Sequence, residues 1–351
     1  MSDERKLLRI VNSVAPIRIC DNGGWSDTWF ARYGRVFNIA VYPYAEVQMR
    51  VFAHAGERAR ITINAENYGL RYTIAEPQGN YDKHPLLEAA IDYMHIPSDV
   101  AIEVSIHSEA PGGCSTGTSA SVSVALIGAL DCLTPGRMTA HEIASAAQII
   151  ETQLLKQQCG IQDQIASAYG GINYIDMYEY PHASVSPIRI PDSIWWDLEG
   201  RLSLVFVGLS HSSSETHQMV IRELEDAGPE AAKLRPLRAT AARSKDALIA
   251  GDFRGLGRAM IDNNEAQRNL HPALIGAHHQ EIIDIAGRHG ALGWKVNGAG
   301  GAGGSVTILS GPDRADKRAM LRDIEDANPG YKNIPIHLSR FGVRIWESRF
   351  D

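Results

Sequence analysis

Cysteine is scarce in this 351-residue chain, and acidic residues outnumber basic ones. The four cysteines, Cys20, Cys114, Cys132 and Cys159, show no C-x-x-C spacing, so the sequence indicates neither a zinc site nor a disulfide framework. Lys and Arg total 34 against 41 Asp and Glu, which gives a net charge of −7. Because proteins that bind nucleic acid usually carry a basic surface, this balance argues against a nucleic-acid partner.

Long apolar runs are also missing. No stretch approaches the roughly 20 apolar residues that a membrane-spanning helix needs, and residues 1–6 lack the apolar core of a secretory signal. With 44% hydrophobic and 21% charged residues, the composition is typical of a globular protein. We therefore expect a cytoplasmic protein with no membrane partner, either a monomer or a homodimer.

What the sequence does have is an unusual glycine-rich loop. Residues 110–120 read Ala-Pro-Gly-Gly-Cys-Ser-Thr-Gly-Thr-Ser-Ala, between a strand pattern over 100–106 and a helical pattern over 121–133. The loop is not the usual P-loop, because no Gly-Lys-Ser/Thr follows its glycines. Unpaired N–H groups and the helix dipole nevertheless favour an anion there. The simpler alternative is a Ser or Thr that only caps the helix.

The length of the chain favours two domains. Strand patterns dominate the first half, whereas helical patterns dominate after about residue 190, beside short strands at 293–296 and 305–309. We predict an α+β protein with a sheet-rich N-terminal domain over 1–190, in which helices pack on the sheet. A helix-rich C-terminal domain with a small antiparallel sheet would occupy 191–351.

Two carboxylates follow the glycine-rich loop. Asp163 begins a predicted helix within Gly-Ile-Gln-Asp-Gln, and Glu151 lies on the preceding helix. Two carboxylates near a phosphate loop suit two tasks, holding magnesium and aligning or deprotonating an acceptor hydroxyl. Acidic residues are also common at helix starts, so a structural role stays open.

Further polar and glycine-rich features lie at the two ends of the chain. Arg18, within Pro-Ile-Arg-Ile, could stabilise charge on a transferring phosphate or simply face solvent. Asp27 could accept hydrogen bonds from a polyol beside the apolar face of Trp25, or stabilise its own turn. The loop 297–304 has five glycines among eight residues and begins with Asn297. Such a loop predicts a close backbone approach rather than a flexible linker.

These stretches, in this order, resemble the signature motifs of the GHMP kinases, which include galactokinase and homoserine, mevalonate and phosphomevalonate kinases. Residues 15–28 resemble the first motif, 111–120 the second and 295–304 the third. Within the family, residues 23–28 and 160–174 are most similar to the L-fucokinase and D-glycero-D-manno-heptose 7-phosphate kinase branch. The resemblance implies the two-domain GHMP kinase fold. It also implies an enzyme that uses ATP and Mg2+ to phosphorylate a sugar, with the anomeric hydroxyl as acceptor.

The resemblance also implies a role for each matched residue. Asp163 would be the catalytic carboxylate with Arg18 as its cationic neighbour, and Ser119 and Glu151 would hold magnesium. The phosphates of ATP would contact Pro111, Gly112, Gly113, Cys114, Ser115, Thr116, Gly117, Thr118 and Ser119. The sugar would contact Asp27, Trp25, Gly24, Gly171, Asn297, Gly300 and Gly301.

Three alternatives stay open from the sequence. A non-sugar acceptor such as mevalonate or homoserine would keep the chemistry but change the pocket. A decarboxylase related to the family would release CO2 from a phosphorylated acid. A sugar-sensing binding protein would have lost turnover altogether.

Overall fold

The computed structural model describes residues 6–54, 59–77, 79–209 and 213–349, without the side chains of residues 213–215. We predicted from residues 1–6 that no secretory signal is present. Residues 1–5 of that segment lie outside the described residues. Among the described residues, no helix is both long and apolar enough to span a bilayer.

The first unit of the fold is a nine-stranded sheet covered by helices. Two long strands form its centre, and in the second of them Val47 and Met49 are buried between exposed polar neighbours. Its strands are β1 (Leu7–Asn22), β2 (Gly34–Ala53), β3 (Ile61–Ala65), β4 (Leu70–Ile74), β5 (Val100–Ser108), β6 (Ile172–Glu179) and β7 (His182–Pro187). Two strands from the end of the chain complete it, as described below. All neighbouring pairs are antiparallel except β3 with β5.

Four helices pack on this sheet and share its apolar core. They are α1 (Pro85–Met94), α2 (Thr118–Asp131), α3 (Ala140–Ile149) and α4 (Gln162–Tyr169). Thr139 and Glu142 form a reciprocal capping box at the start of α3. The α3 helix continues into a π-helical turn over Ile150–Leu154, a distortion that is frequent at functional sites.

The second unit contains six helices around a four-stranded antiparallel sheet. The helices are α5 (Asp192–Arg201), α6 (Ser213–Leu224), α7 (Leu234–Ile249), α8 (Phe253–Leu270), α9 (Ala277–Arg288) and α10 (Arg314–Ala327). The strands are β8 (Leu202–Phe206), β9 (Gly293–Val296), β10 (Ser305–Leu309) and β11 (Lys332–Ile334), in the order β11-β8-β10-β9. The mixed fold class that we predicted is therefore confirmed.

The end of the chain returns to the first sheet. Strand β12 (His337–Leu338) pairs with β2, and β13 (Arg344–Ser348) pairs with β1. The proposed division at residue 190 thus separates most elements, but residues 337–348 extend the N-terminal sheet. A third apolar core lies between the units, where Ile17 and Phe37 pack in one cluster with Leu204 and Met260.

Candidate active site

A cleft of about 620 Å³ lies where both units meet. The glycine-rich loop, the end of β1, the π-helical turn and the start of α4 line it from the first unit. Gly298, Ala299 and His217 line it from the second. Fourteen residues from our predicted set line the cleft: Arg18, Trp25, Asp27, Pro111, Gly112, Gly113, Cys114, Ser115, Thr116, Gly117, Thr118, Ser119, Glu151 and Asp163.

The glycine-rich loop delivers the N-terminus of α2 to this cleft. Gly117 is the N-cap residue, with a φ of 71°, and no side chain caps the helix. The alternative of a plain Ser or Thr cap is therefore wrong. The loop is fixed from both units, because Arg18 N donates to Thr116 O at 2.9 Å and Ser305 Oγ donates to Cys114 O at 2.6 Å. A rigid loop with uncapped backbone N–H groups is suited to hold phosphate oxygens.

Asp163 and Arg18 form a two-point ion pair in the cleft. Arg18 Nε donates to Asp163 Oδ1 at 2.8 Å, and Arg18 Nη2 donates to Asp163 Oδ2 at 3.2 Å. The Arg18 side chain is 4% exposed, whereas that of Asp163 is 30% exposed. Arg18 also donates through Nη1 to Ser115 O. Burial opposes the charge of Arg18, but the carboxylates of Asp163, Asp21 and Asp27 outweigh it and raise its pKa. The pair thus gives a fixed cation and a partly accessible carboxylate beside the phosphate loop.

Asp27 holds the start of the helix that carries Asp163. Its Oδ2 accepts hydrogen bonds from Ile161 N at 2.9 Å and Gln162 N at 3.1 Å, so it caps α4 from a distant part of the chain. Burial and the charge of Asp163 raise the pKa of Asp27 to about 6. The alternative that Asp27 only stabilises its own turn does not describe these contacts.

Glu151 is the second carboxylate that we predicted, and it lies on the π-helical turn. It is 5% exposed, and its Oε1 accepts a hydrogen bond from Gln164 Nε2 at 2.8 Å. Burial raises its pKa to about 7, with a further contribution from the charge of Asp163. Among the described residues, no group of three His, Cys, Asp or Glu side chains is arranged to hold a metal ion. A site built from Glu151 and the Ser119 hydroxyl would therefore need phosphate oxygens to complete it, as is usual for magnesium.

Five predicted substrate-binding residues lie outside the cleft lining and contact protein groups instead. Asn297 is fully buried, and its Oδ1 accepts hydrogen bonds from Cys20 N and Thr307 Oγ1. The backbone N–H groups of three others donate to backbone oxygens: Gly24 to Asp21 O, Gly171 to Ser339 O and Gly301 to Leu274 O. Gly300 packs against Leu274 O, where a Cβ atom would collide. That these five residues contact a substrate stays a prediction.

Sequence reasoning missed two charged residues at the edge of the site. Asp21, which lines the cleft, is paired with Lys295 of β9, and Lys295 Nζ lies 3.2 Å from Asp21 Oδ1. Each side chain is no more than 2% exposed. The sequence did contain a signal for this pair. Lys295 lies between the apolar residues 294 and 296 of a short strand, and such a lysine has to face either solvent or a buried anion.

The comparisons with known proteins agree with this geometry. Residues 85–171, which span α1 to α4 and the glycine-rich loop, match the family described as GHMP kinases N terminal domain. Residues 85–171 are therefore a GHMP kinase N-terminal domain. The protein is a phosphotransferase with an alcohol group as acceptor.

The relatives of this protein include sugar kinases and mevalonate kinases. It is 25% identical to a D-glycero-alpha-D-manno-heptose 7-phosphate kinase of Campylobacter jejuni over 97% of this chain and 99% of that protein. It is 29% identical to a mevalonate kinase of Pyrococcus abyssi over 71% of this chain and 70% of that protein. The fold matches the crystal structure of a D-glycero-D-manno-heptose 1-phosphate kinase from Bacteroides thetaiotaomicron. The TM-score is 0.75, the identity is 23%, and 97% of this chain and all of that one are covered.

Proposed function

We propose that this protein is a sugar kinase that uses ATP and Mg2+ and transfers the γ-phosphoryl group to a sugar hydroxyl. The acceptor in this proposal is the anomeric hydroxyl of a heptose 7-phosphate or of a related sugar such as L-fucose. One observation carries the proposal: the Asp163 carboxylate, held at two points by Arg18, lines the same cleft as the uncapped N-terminus of α2.

In the proposed reaction Asp163 receives the proton of the attacking hydroxyl. Its 30% exposed side chain leaves room for an acceptor to approach, and the two-point contact with Arg18 fixes the orientation of the carboxylate. Arg18 is also a permanent cation close to the position where charge develops on the phosphoryl group. Positioning and charge neutralisation are the main demands of such a transfer.

The phosphates of ATP would lie against residues 111–119, where the N–H groups of the first turn of α2 face the cleft. Glu151 and Ser119 would hold the magnesium ion. When bound, the ion would neutralise charge on the phosphates. It would also favour the ionised form of Glu151, whose pKa is raised by burial to about 7 in its absence.

Asp27 and Trp25 are proposed to contact the sugar from the opposite side of Asp163. Both line the cleft, and Trp25 contacts His217 of the second unit edge to face, with ring centroids 5.0 Å apart. An aromatic side chain beside buried carboxylates is an arrangement suited to a polyol, which has an apolar face and many hydroxyl donors. The similarity to the Campylobacter jejuni heptose 7-phosphate kinase supports the choice of a sugar.

The test is product mapping by phosphorus NMR. The protein is incubated with ATP, Mg2+ and one acceptor at a time from a panel of free and phosphorylated sugars. We expect a new sugar phosphate resonance, with coupling to the anomeric proton, for at least one sugar, and ADP formation that depends on that sugar. ATP that stays intact with every sugar in the panel would contradict the proposal.

A second candidate acceptor is mevalonate. The mevalonate kinases among the relatives, such as that of Pyrococcus abyssi at 29% identity over 71% of this chain, favour it. Mevalonate belongs in the same panel, because it would give a phosphate monoester resonance without an anomeric coupling.

A further inference from the structure

A buried row of alternating charges runs from the second unit to the catalytic pair. Lys295 Nζ lies 3.2 Å from Asp21 Oδ1, and it also donates to Gln267 Oε1 at 2.7 Å. Asp21 in turn interacts electrostatically with Arg18, which is paired with Asp163. Along the row the charges are therefore positive, negative, positive and negative, from Lys295 through Asp21 and Arg18 to Asp163.

The same ion pair fixes the third glycine-rich loop against Arg18. Asp21 Oδ2 accepts a hydrogen bond from Gly298 N at 3.0 Å, and Gln267 Nε2 donates to Gly298 O at 3.1 Å. Gly298 lies so close to the site that a Cβ atom there would be 2.8 Å from Ser115 O and 3.2 Å from Arg18 Nη2. The backbone of the second unit thus covers the contact between Arg18 and the glycine-rich loop.

An ion pair in this position is expensive as a purely structural device. Taking two charges out of water carries a large desolvation penalty, and apolar residues of similar volume often stabilise a protein as well or better. Lys295 is 1% exposed, so water compensates little of this desolvation penalty. The hydrogen bond of Asp21 to Gly298 N and the interaction of Asp21 with Arg18 offer a reason for the presence of the pair.

We propose that Asp21 and Lys295 are positioning residues for catalysis: they hold Arg18, and through it Asp163, in the geometry needed for phosphoryl transfer. Asp21 gives Arg18 a second carboxylate besides Asp163, and Lys295 keeps Asp21 charged and in place. The inference rests on the proposed kinase function, and it adds two residues of the first and second units whose removal acts on turnover rather than on substrate binding.

The test compares Lys295→Met and Asp21→Asn with matched controls. Lys317→Met removes another poorly exposed lysine of the second unit, whose Nζ donates to Gly200 O at 3.0 Å. Asp131→Asn alters a carboxylate that is 5% exposed and accepts from Met138 N at 3.0 Å. Each variant is assayed with ATP and the acceptor identified by NMR, and its thermal unfolding is recorded.

We expect kcat to fall roughly 10- to 100-fold in Lys295→Met and Asp21→Asn, since small displacements of catalytic groups have effects of this size. The KM values for ATP and acceptor should stay within about twofold of wild type. The two control variants should keep the wild-type kcat even where their thermal unfolding temperatures fall. Wild-type kcat in Lys295→Met and Asp21→Asn would overturn the inference.

The double variant Asp21→Asn/Lys295→Met separates positioning from stability. Because it leaves no unpaired buried charge, we expect its unfolding temperature to rise above that of Lys295→Met, while kcat stays low. Recovery of kcat together with stability would overturn the positioning role. If the wild-type protein transfers phosphoryl to no acceptor, both the kinase proposal and this role are wrong. If the wild type and the single variants are equally active, only the positioning role is wrong.

Discussion

At the scale of single residues, the site depends on how side chains constrain one another. Asp163 cannot turn freely, because Arg18 contacts both of its oxygens, and Arg18 is itself bound to Ser115 O. Asp27 fixes the backbone just before Asp163. The carboxylate proposed to receive the proton is therefore oriented from three directions before any substrate binds.

Asp163→Asn tests the role of the carboxylate directly. The amide oxygen can still accept from Arg18 Nε, so the fold should survive, but the side chain can no longer take a proton. We expect kcat to fall about 100- to 10,000-fold, the usual contribution of general base catalysis, as measured by coupled ADP release. Thermal unfolding is the control, and near wild-type turnover would remove Asp163 from the mechanism.

Asp27→Ala tests the residue that caps α4. The change removes two hydrogen bonds to backbone N–H groups and, by the usual loss of a cap, about 0.5–2 kcal/mol of stability. Because Asp163 lies in the first turn of α4, we expect kcat to fall as well as the acceptor KM to rise, with the KM for ATP nearly unchanged. Asp27→Asn, which keeps an acceptor oxygen, should lie between wild type and Asp27→Ala. Equal increases in both KM values would count against an acceptor-side role.

At the scale of elements, the start of α2 and the start of α4 approach each other closely. A Cβ atom on Gly117 would lie 3.2 Å from the Cβ, Cγ and Oδ2 atoms of Asp163, and Gly117 has a φ of 71°. The glycine thus lets a helix N-terminus and a catalytic carboxylate share one small volume.

Gly117→Ala should therefore push Asp163 away from its contact with Arg18. We expect a drop in kcat of at least about tenfold, since displacements of a fraction of an ångström already matter. Gly136→Ala is the matched control: Gly136 also has a positive φ, 99°, but a Cβ atom there would meet nothing within 4 Å. Both variants bear similar backbone strain, so equal kcat values in the two would contradict the proposed collision.

Elements were largely predictable from the sequence because their signals are local. The alternating pattern of β5 and the strands on either side of residues 297–304 follow from neighbouring positions. The division that we predicted after residue 190 lies just before helix α5, and it stays a prediction.

The contacts within the site were less predictable, because they join distant positions. The pairing of Asp21 with Lys295 and the capping of α4 by Asp27 depend on the meeting of β1, β9 and α4. No spacing in the sequence encodes such contacts. The resemblance to GHMP kinases predicted which residues line the cleft. Their hydrogen-bond and ion-pair partners became evident only from the fold.

At the scale of the whole molecule, the protein without ligands carries an electrostatic cost at neutral pH. Burial raises the pKa of Glu151 from 4.5 to about 7, so the folded protein binds this proton more tightly than the unfolded chain. Stability is therefore lost as pH rises from about 4.5 to about 7. The buried carboxylate in the cleft thus destabilises the fold that contains it.

Glu151→Gln should remove this cost. At pH 8 we expect the variant to be more stable than wild type by up to about 3 kcal/mol, with the difference shrinking towards pH 4.5, as measured by urea unfolding without ATP or magnesium. Gln can still accept from Gln164 Nε2, so the local hydrogen bond is retained. Glu142→Gln, at the exposed capping box of α3, is the control and should show no gain at pH 8. A pH-independent difference for Glu151→Gln would contradict the raised pKa.

The return of β13 to the edge of β1 affects how the protein is made. Residues 7–22 are synthesised long before residues 344–348, which form the strand that pairs with this edge. During translation the backbone edge of β1 therefore stays open until residues 344–348 have been made. A nascent chain arrested before residue 344 should expose an unpaired strand edge, the kind of surface that chaperones must shield from aggregation.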